Sequence, residues 1–229
     1  LAYLLPLLQR LQRQPEARAA IFTPATELAI QTLRVAERYK EPDLKSVALV
    51  ASGNQRQQAT RLEKSTRLIV GTVGRLLEMY ERRKLKGVGL VVLDEPEPIL
   101  STREADYLFE VLSRPDPKLQ LVLAGATFGR NSERLIDELM GPEVVRTRVA
   151  ADPLRSQIAH QVVRVRNEAE KDVVLARFLT NKRCERAVVF VNQPNLLRHL
   201  YRYLTDLGYP TVSVSVERTK LQREQAIRA

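Results

Sequence analysis

Apolar runs and helix-period segments alternate along most of the chain. Residues 18–23 (RAAIFT), 46–50 (SVALV), 67–70 (RLIV), 88–93 (VGLVVL) and 119–124 (LQLVLA) are short and mostly apolar without interruption. That pattern predicts strands covered on both faces, since a half-exposed strand would alternate. Between them, residues 27–39, 55–64, 74–84, 103–113 and 130–140 place apolar side chains three and four apart. Such spacing lines one face of a helix packed on a sheet. The order βαβαβα predicts an α/β fold with a parallel, doubly wound sheet.

A break is expected near Ala150–Pro153, after Gly141-Pro142 and a last short strand. The pattern then restarts. Residues 158–165, 187–191 and 211–214 read as strands, and 168–180, 194–207 and 218–228 as helices. Two domains follow, 1–150 and 151–229, both incomplete. Three strands make a small core and the last helix stops short, so the chain is expected to continue beyond Ala229. The first Met is Met79, so Leu1 is not expected to be a translation start. The opening LAYLLPLLQRLQ is too short for a signal sequence, contains Pro6 and has no basic residue before it. No run of about 18 apolar residues is present to cross a membrane.

Composition adds a class of partner. The 229 residues are 44% hydrophobic and 28% charged, which suits a soluble globular protein and excludes wholesale disorder. The net charge is +10, and residues 151–229 hold 14 basic against 8 acidic side chains. A surplus of this kind fits a polyanionic partner, foremost nucleic acid, and equally an ordinary solvated basic surface. The single Cys184 excludes an internal disulfide and a Cys-rich zinc site. It also points to an intracellular, reducing compartment without saying which one. His160 and His199 lack ligand-spaced neighbours and read as structural. The run Arg82-Arg83-Lys84 with Lys86 could meet phosphates, or it could be the basic last turn of a helix.

Candidate chemistry gathers where strands end. In VVLDEPEP (91–98) an apolar strand runs into Asp94 and Glu95. Such a pair can hold Mg²⁺ and polarise an attacking water. It can also be a helix N-cap, with Pro96 at the first helical position. TPATELAIQ (23–31), VGTVGRLL (70–77) and LAGAT (123–127) also follow strands. They bring amides, hydroxyls and a cation to one sheet edge, where helix N-termini bind phosphate. Their bland readings are Thr26 and Thr72 as N-caps and Gly125 as a close-packing residue.

Taken in order, these segments resemble the DEAD-box RNA helicase family along nearly the whole chain. LAYLLPLLQ resembles the helix after the family's phosphate-binding loop. PATELA (24–29) resembles PTRELA, and Ser52-Gly53 stands at its paired glycines. Thr72-Val73-Gly74-Arg75 resembles TPGR, Asp94-Glu95-Pro96-Glu97 the DEAD tetrapeptide, and Gly125-Ala126-Thr127 the SAT segment. AVVFVNQ (187–193) resembles the start of a second RecA-like domain, and Lys220 and Arg223 fall at a Gln-x-x-Arg pair.

The resemblance implies two RecA-like domains with ATP between them and RNA across both. Asp94 would hold Mg²⁺ through its water shell and Glu95 would orient the attacking water. Glu97, Gly125, Ala126 and Thr127 would couple hydrolysis to domain closure. Pro24, Thr26, Gly53, Thr72, Gly74 and Arg75 would face RNA on the first domain, and Lys220 and Arg223 on the second. Other proteins of a ribonucleoprotein complex are expected partners; a membrane is not.

Several positions depart from the family. The phosphate-binding loop is not in this chain, which by itself is therefore expected to be inactive. Thr26 stands for an Arg, Ser52 for a Gly, Val73 for a Pro, Glu97 for an Asp, Gly125 for a Ser and Ser215-Val216 for His-Gly. Pro96 is expected to bias Glu95 toward an extended backbone and removes one amide. Two readings result: an RNA-dependent ATPase that unwinds or remodels RNA locally, or a degenerate core kept as a scaffold for RNA or protein. A DNA-acting relative ranks below both.

Overall fold

A computed structural model describes residues 2–51, 54–62, 65–114, 119–141, 144–147, 158–180 and 184–215. The chain divides into two compact units, Leu1–Arg148 and Val149–Ala229.

The first unit is built in chain order from α1 (Leu4–Arg13), β1 (Arg18–Thr23), α2 (Thr26–Tyr39), β2 (Ser46–Leu49), α3 (Gln55–Arg61) and β3 (Leu68–Thr72). There follow α4 (Val73–Glu81), β4 (Val88–Asp94), α5 (Pro96–Leu100), α6 (Ala105–Leu112), β5 (Gln120–Ala124) and α7 (Arg130–Leu135). A π-helical turn, Ile136–Met140, extends α7. All five predicted strands are present in one parallel sheet, ordered β2-β3-β1-β4-β5.

The continuous apolar runs are explained by the two faces of that sheet. Ala20, Phe22, Ile69, Val91 and Leu93 pack with Leu76 and Met79 of α4, Ile99 of α5 and Leu108 of α6. Their neighbours in sequence, Ala19, Ile21, Leu68, Val70, Leu90 and Val92, pack with Leu7 and Leu11 of α1 and Ala29 and Ala36 of α2. Successive side chains of a strand point to opposite faces, so a strand covered twice must be apolar throughout. β5 lies at an edge and is only half-buried.

In the second unit, α8 (Glu168–Leu179) and α9 (Pro194–Asp206) lie where helices are predicted. Asn167 caps α8 by accepting from the Glu170 amide at 3.0 Å, and Glu170 accepts from the Arg166 amide at 2.6 Å. His199 of α9 meets Asp172 of α8 at 2.6 Å, a structural contact. The expected strands 158–165, 187–191 and 211–214 are not strands among the described residues. An apolar run marks a segment able to pair, but a strand exists only through the ladder its neighbour supplies. Without one, Val162 is 92% and Phe190 90% exposed. The expected boundary at 150–153 and the helix 218–228 lie outside the described residues.

Candidate active site at the carboxyl edge of the sheet

The strand order reverses at β1. From β1 the chain moves outward to β2 and returns through β3, whereas β4 and β5 build the opposite side. The connections leaving β1 and β4 therefore diverge, which makes their carboxyl ends the switch point where ligands bind to such sheets. Because all strands are parallel, the loops after β1 (Pro24), β3 (Thr72–Arg75), β4 (Asp94–Glu97) and β5 (Gly125–Thr127) share this edge.

Asp94 closes β4, half-buried, in register with Ala124 of β5. Its Oδ2 accepts a hydrogen bond from the Tyr3 hydroxyl at 2.7 Å. Its Oδ1 has no protein donor among the described residues. Tyr3 precedes α1, and its ring packs against the residues that α1 and α2 lay on the sheet. Burial, and then the bond to Asp94 and its charge, push the Tyr3 hydroxyl well above the ordinary phenol range, so it stays a donor.

Glu95 corrects one expectation. It is left-handed, not extended, at φ 58° and ψ 70°. Pro96 disfavours the right-handed helical region for Glu95 and itself opens α5. The Glu95 amide meanwhile continues the ladder to the Ala124 carbonyl at 2.8 Å. Strand ladder and helix start meet at this one residue, whose φ is positive. A non-glycine residue held there stores about 1–2 kcal/mol of strain, which is common where chemistry fixes geometry. Glu95 occupies the N-cap position, but its side chain makes no capping bond. The capping explanation of this acidic pair therefore fails, and the carboxylate is left for another task.

The altered positions around Glu95 fit one another. A Cβ at 125 would stand 2.8 Å from Pro96 Cδ, so the proline ring occupies the space a serine would need. Glu97 Oε1 accepts from the Gly129 amide at 2.6 Å and the Ser132 amide at 3.2 Å, capping α7 across the β4–β5 edge. The Ser132 side chain first, then these amides, hold Glu97 below the ordinary carboxylate range. The buried Ser132 Oγ makes no hydrogen bond of normal geometry, so it acts on Glu97 through its dipole. The glutamate thus ties the β4 loop to the segment after β5 without a hydroxyl at 125.

The other predicted residues sort by exposure. Pro24 and Thr26 are half-buried; Thr26 is the first residue of α2, so Ala25, not Thr26, is the N-cap. Thr72 caps α4 by position but not by side chain. Gly74 is exposed, with Glu104 closest to it. Gly125, Ala126 and Thr127 are exposed in the loop after β5. Arg75 differs from its expected role at an RNA surface: it is 4% exposed, paired with Glu78, and its Nε donates to Gln58 Oε1 at 3.2 Å. Gln58 in turn holds both backbone groups of Val50, at 3.1 and 2.8 Å. Sequence reasoning missed Tyr3, hidden in an apolar run, and Gln58, whose partner is distant in sequence. Gly53, Lys220 and Arg223 lie outside the described residues. Arg82 pairs with Glu78 at 2.6 Å just past α4, as a basic helix end does.

Among the described residues no three His, Cys, Asp or Glu side chains could hold a metal alone. Mg²⁺ needs fewer, since it keeps several waters and takes one or two carboxylates alongside substrate phosphates. Asp94, with Oδ1 open, and Glu95 beside it fit that donor set. No described helix is long and apolar enough to cross a membrane.

Comparison with known proteins agrees with this geometry. The chain is 28% identical over 235 residues to a probable ATP-dependent RNA helicase, YfmL, of Bacillus subtilis, covering 99% of this chain and 61% of that protein. It is 26% identical to the RNA helicase CrhR of Synechocystis, covering 99% of this chain and 46% of that one. The chain thus spans about half of its curated relatives. A DEAD box protein from Methanococcus jannaschii superposes with a TM-score of 0.56 at 26% identity, over 99% of this chain and 61% of that one. S. cerevisiae Dbp5 bound to RNA and ADP–BeF3 superposes with a TM-score of 0.69 at 22% identity, over 93% and 54%, and shares the fold. The non-catalytic scaffold reading gains no support from these relatives. Residues 1–135 match the DEAD/DEAH box helicase profile, and the chain belongs to that family.

Proposed function

We propose that the full-length protein is an ATP-dependent RNA helicase whose hydrolytic carboxylates are Asp94 and Glu95. Residues 1–150 form its first RecA-like domain and 151–229 the start of the second. One observation carries the reading: two adjacent carboxylates end a central strand at the switch point, one tied down and one free of capping duty. Bound Mg²⁺ would neutralise phosphate charge as the terminal phosphoryl group is transferred. Asp94 Oδ1 is the oxygen available to its water shell. Glu95, fixed by its strained backbone, orients water and accepts its proton.

RNA meets the neighbouring loops. The amino ends of α2 and α4, neither capped by its N-cap side chain, face the sugar–phosphate backbone beside Thr26, Thr72 and Gly74. Arg75 supports this wall from inside. The relatives named as ATP-dependent RNA helicases support both ligands.

The test is unwinding of a short RNA duplex by the full-length protein. ATP should drive strand separation by wild type, and Glu95→Gln should bind the duplex without separating it. Separation that ignores ATP, or that survives in Glu95→Gln, would overturn the reading.

A further inference from the structure

Asp94 is an asymmetric carboxylate. A phenol holds Oδ2 at 2.7 Å, and Oδ1 has no protein donor among the described residues. A carboxylate at a strand end can otherwise turn about its last side-chain bond, because such torsions are broad. One charge-assisted O–H···O bond removes that freedom.

The phenol is itself held from two sides. Its ring is half-buried among the residues that α1 and α2 pack on the sheet, and its hydroxyl ends on Asp94. The packing of the ring and the bond to Asp94 together fix the phenol between α1, α2 and the end of β4. The ring could pack equally well as phenylalanine, so packing does not explain the hydroxyl.

We infer that Tyr3 is a positioning residue, whose hydroxyl locks the Asp94 carboxylate so that Oδ1 is presented to the hydrated Mg²⁺ of a bound nucleotide. This inference rests on the proposed ATPase function. Partners that orient a ligating side chain typically contribute about 10–100-fold in metal affinity or activity.

The experiment uses full-length Tyr3→Phe, which keeps the ring. Binding of a fluorescent ATP analogue is followed as Mg²⁺ is varied, with turnover measured in parallel. The half-saturating Mg²⁺ concentration should rise about tenfold. Turnover should recover toward wild type at saturating Mg²⁺, a pattern that mere loss of stability would not give. An unchanged Mg²⁺ requirement in Tyr3→Phe, with Glu95→Gln inactive, would overturn the positioning role and leave the ATPase reading standing. Wild-type turnover by Glu95→Gln would remove that reading, and the inference with it.

Discussion

Pro96 and Gly125 are one change made in two places. The ring of Pro96 fills the space beside position 125, so restoring a serine there introduces a contact at 2.8 Å. Gly125→Ser alone should cost about 1–3 kcal/mol in urea unfolding. In a Pro96→Ala background most of that cost should vanish, because the two sites share one space. Additive costs would show that the ring is not the obstacle. Glu97 and Gly129 form a second such pair, since a Cβ at 129 would stand 2.9 Å from Glu97 Oε2. The Ser132 side chain and the amides of Ser132 and Gly129 lower the Glu97 pKa, so the charged form is the stabilising one. Its contribution is complete above the unfolded carboxylate pKa of about 4.3 and is lost as pH falls through the lower folded value. The stability gap between wild type and Glu97→Ala should therefore be widest near neutral pH and shrink in acid; a gap that widened in acid would contradict the assignment.

Arg75 acts between elements. Its guanidinium joins α4 to Gln58 of α3, and Gln58 holds the chain just beyond β2. Arg75→Ala would remove one partner each from Glu78, which keeps Arg82, and from Gln58, which keeps Val50, at a cost of about 1–2 kcal/mol read by urea unfolding. If the variant were as stable as wild type yet lost RNA affinity, Arg75 would contact RNA directly. The five sheet strands were legible because runs such as 67–70 are short and continuously apolar, as a strand covered on both faces requires. α5 was not legible, since five residues with two prolines give no period to read. The left-handed Glu95 was equally hidden: nothing local in DEPEP marks a non-glycine residue for a positive φ, and it sits where the β4–β5 ladder meets α5. Residues 187–191 show the converse, an apolar run that is not a strand among the described residues.

At the scale of the molecule, the chemistry was legible through the order of its segments more than through any one of them. An acidic pair after a strand also reads as a cap, and a threonine before a helix also reads as a cap. The fold removes that ambiguity by placing four such loops on one edge and by showing that neither Glu95 nor Thr72 caps with its side chain. The net charge of +10 suits an RNA partner, and affinity gained from phosphate contacts should fall steeply as salt rises. If the Asp94–Glu95 edge hydrolyses ATP when RNA is bound, ATP turnover of the full-length protein, with and without RNA, beside Glu95→Gln, will show it. RNA-stimulated turnover in wild type and none in the variant is the expected result. Equal turnover in both, or RNA binding by the wild type with no hydrolysis at all, would contradict it.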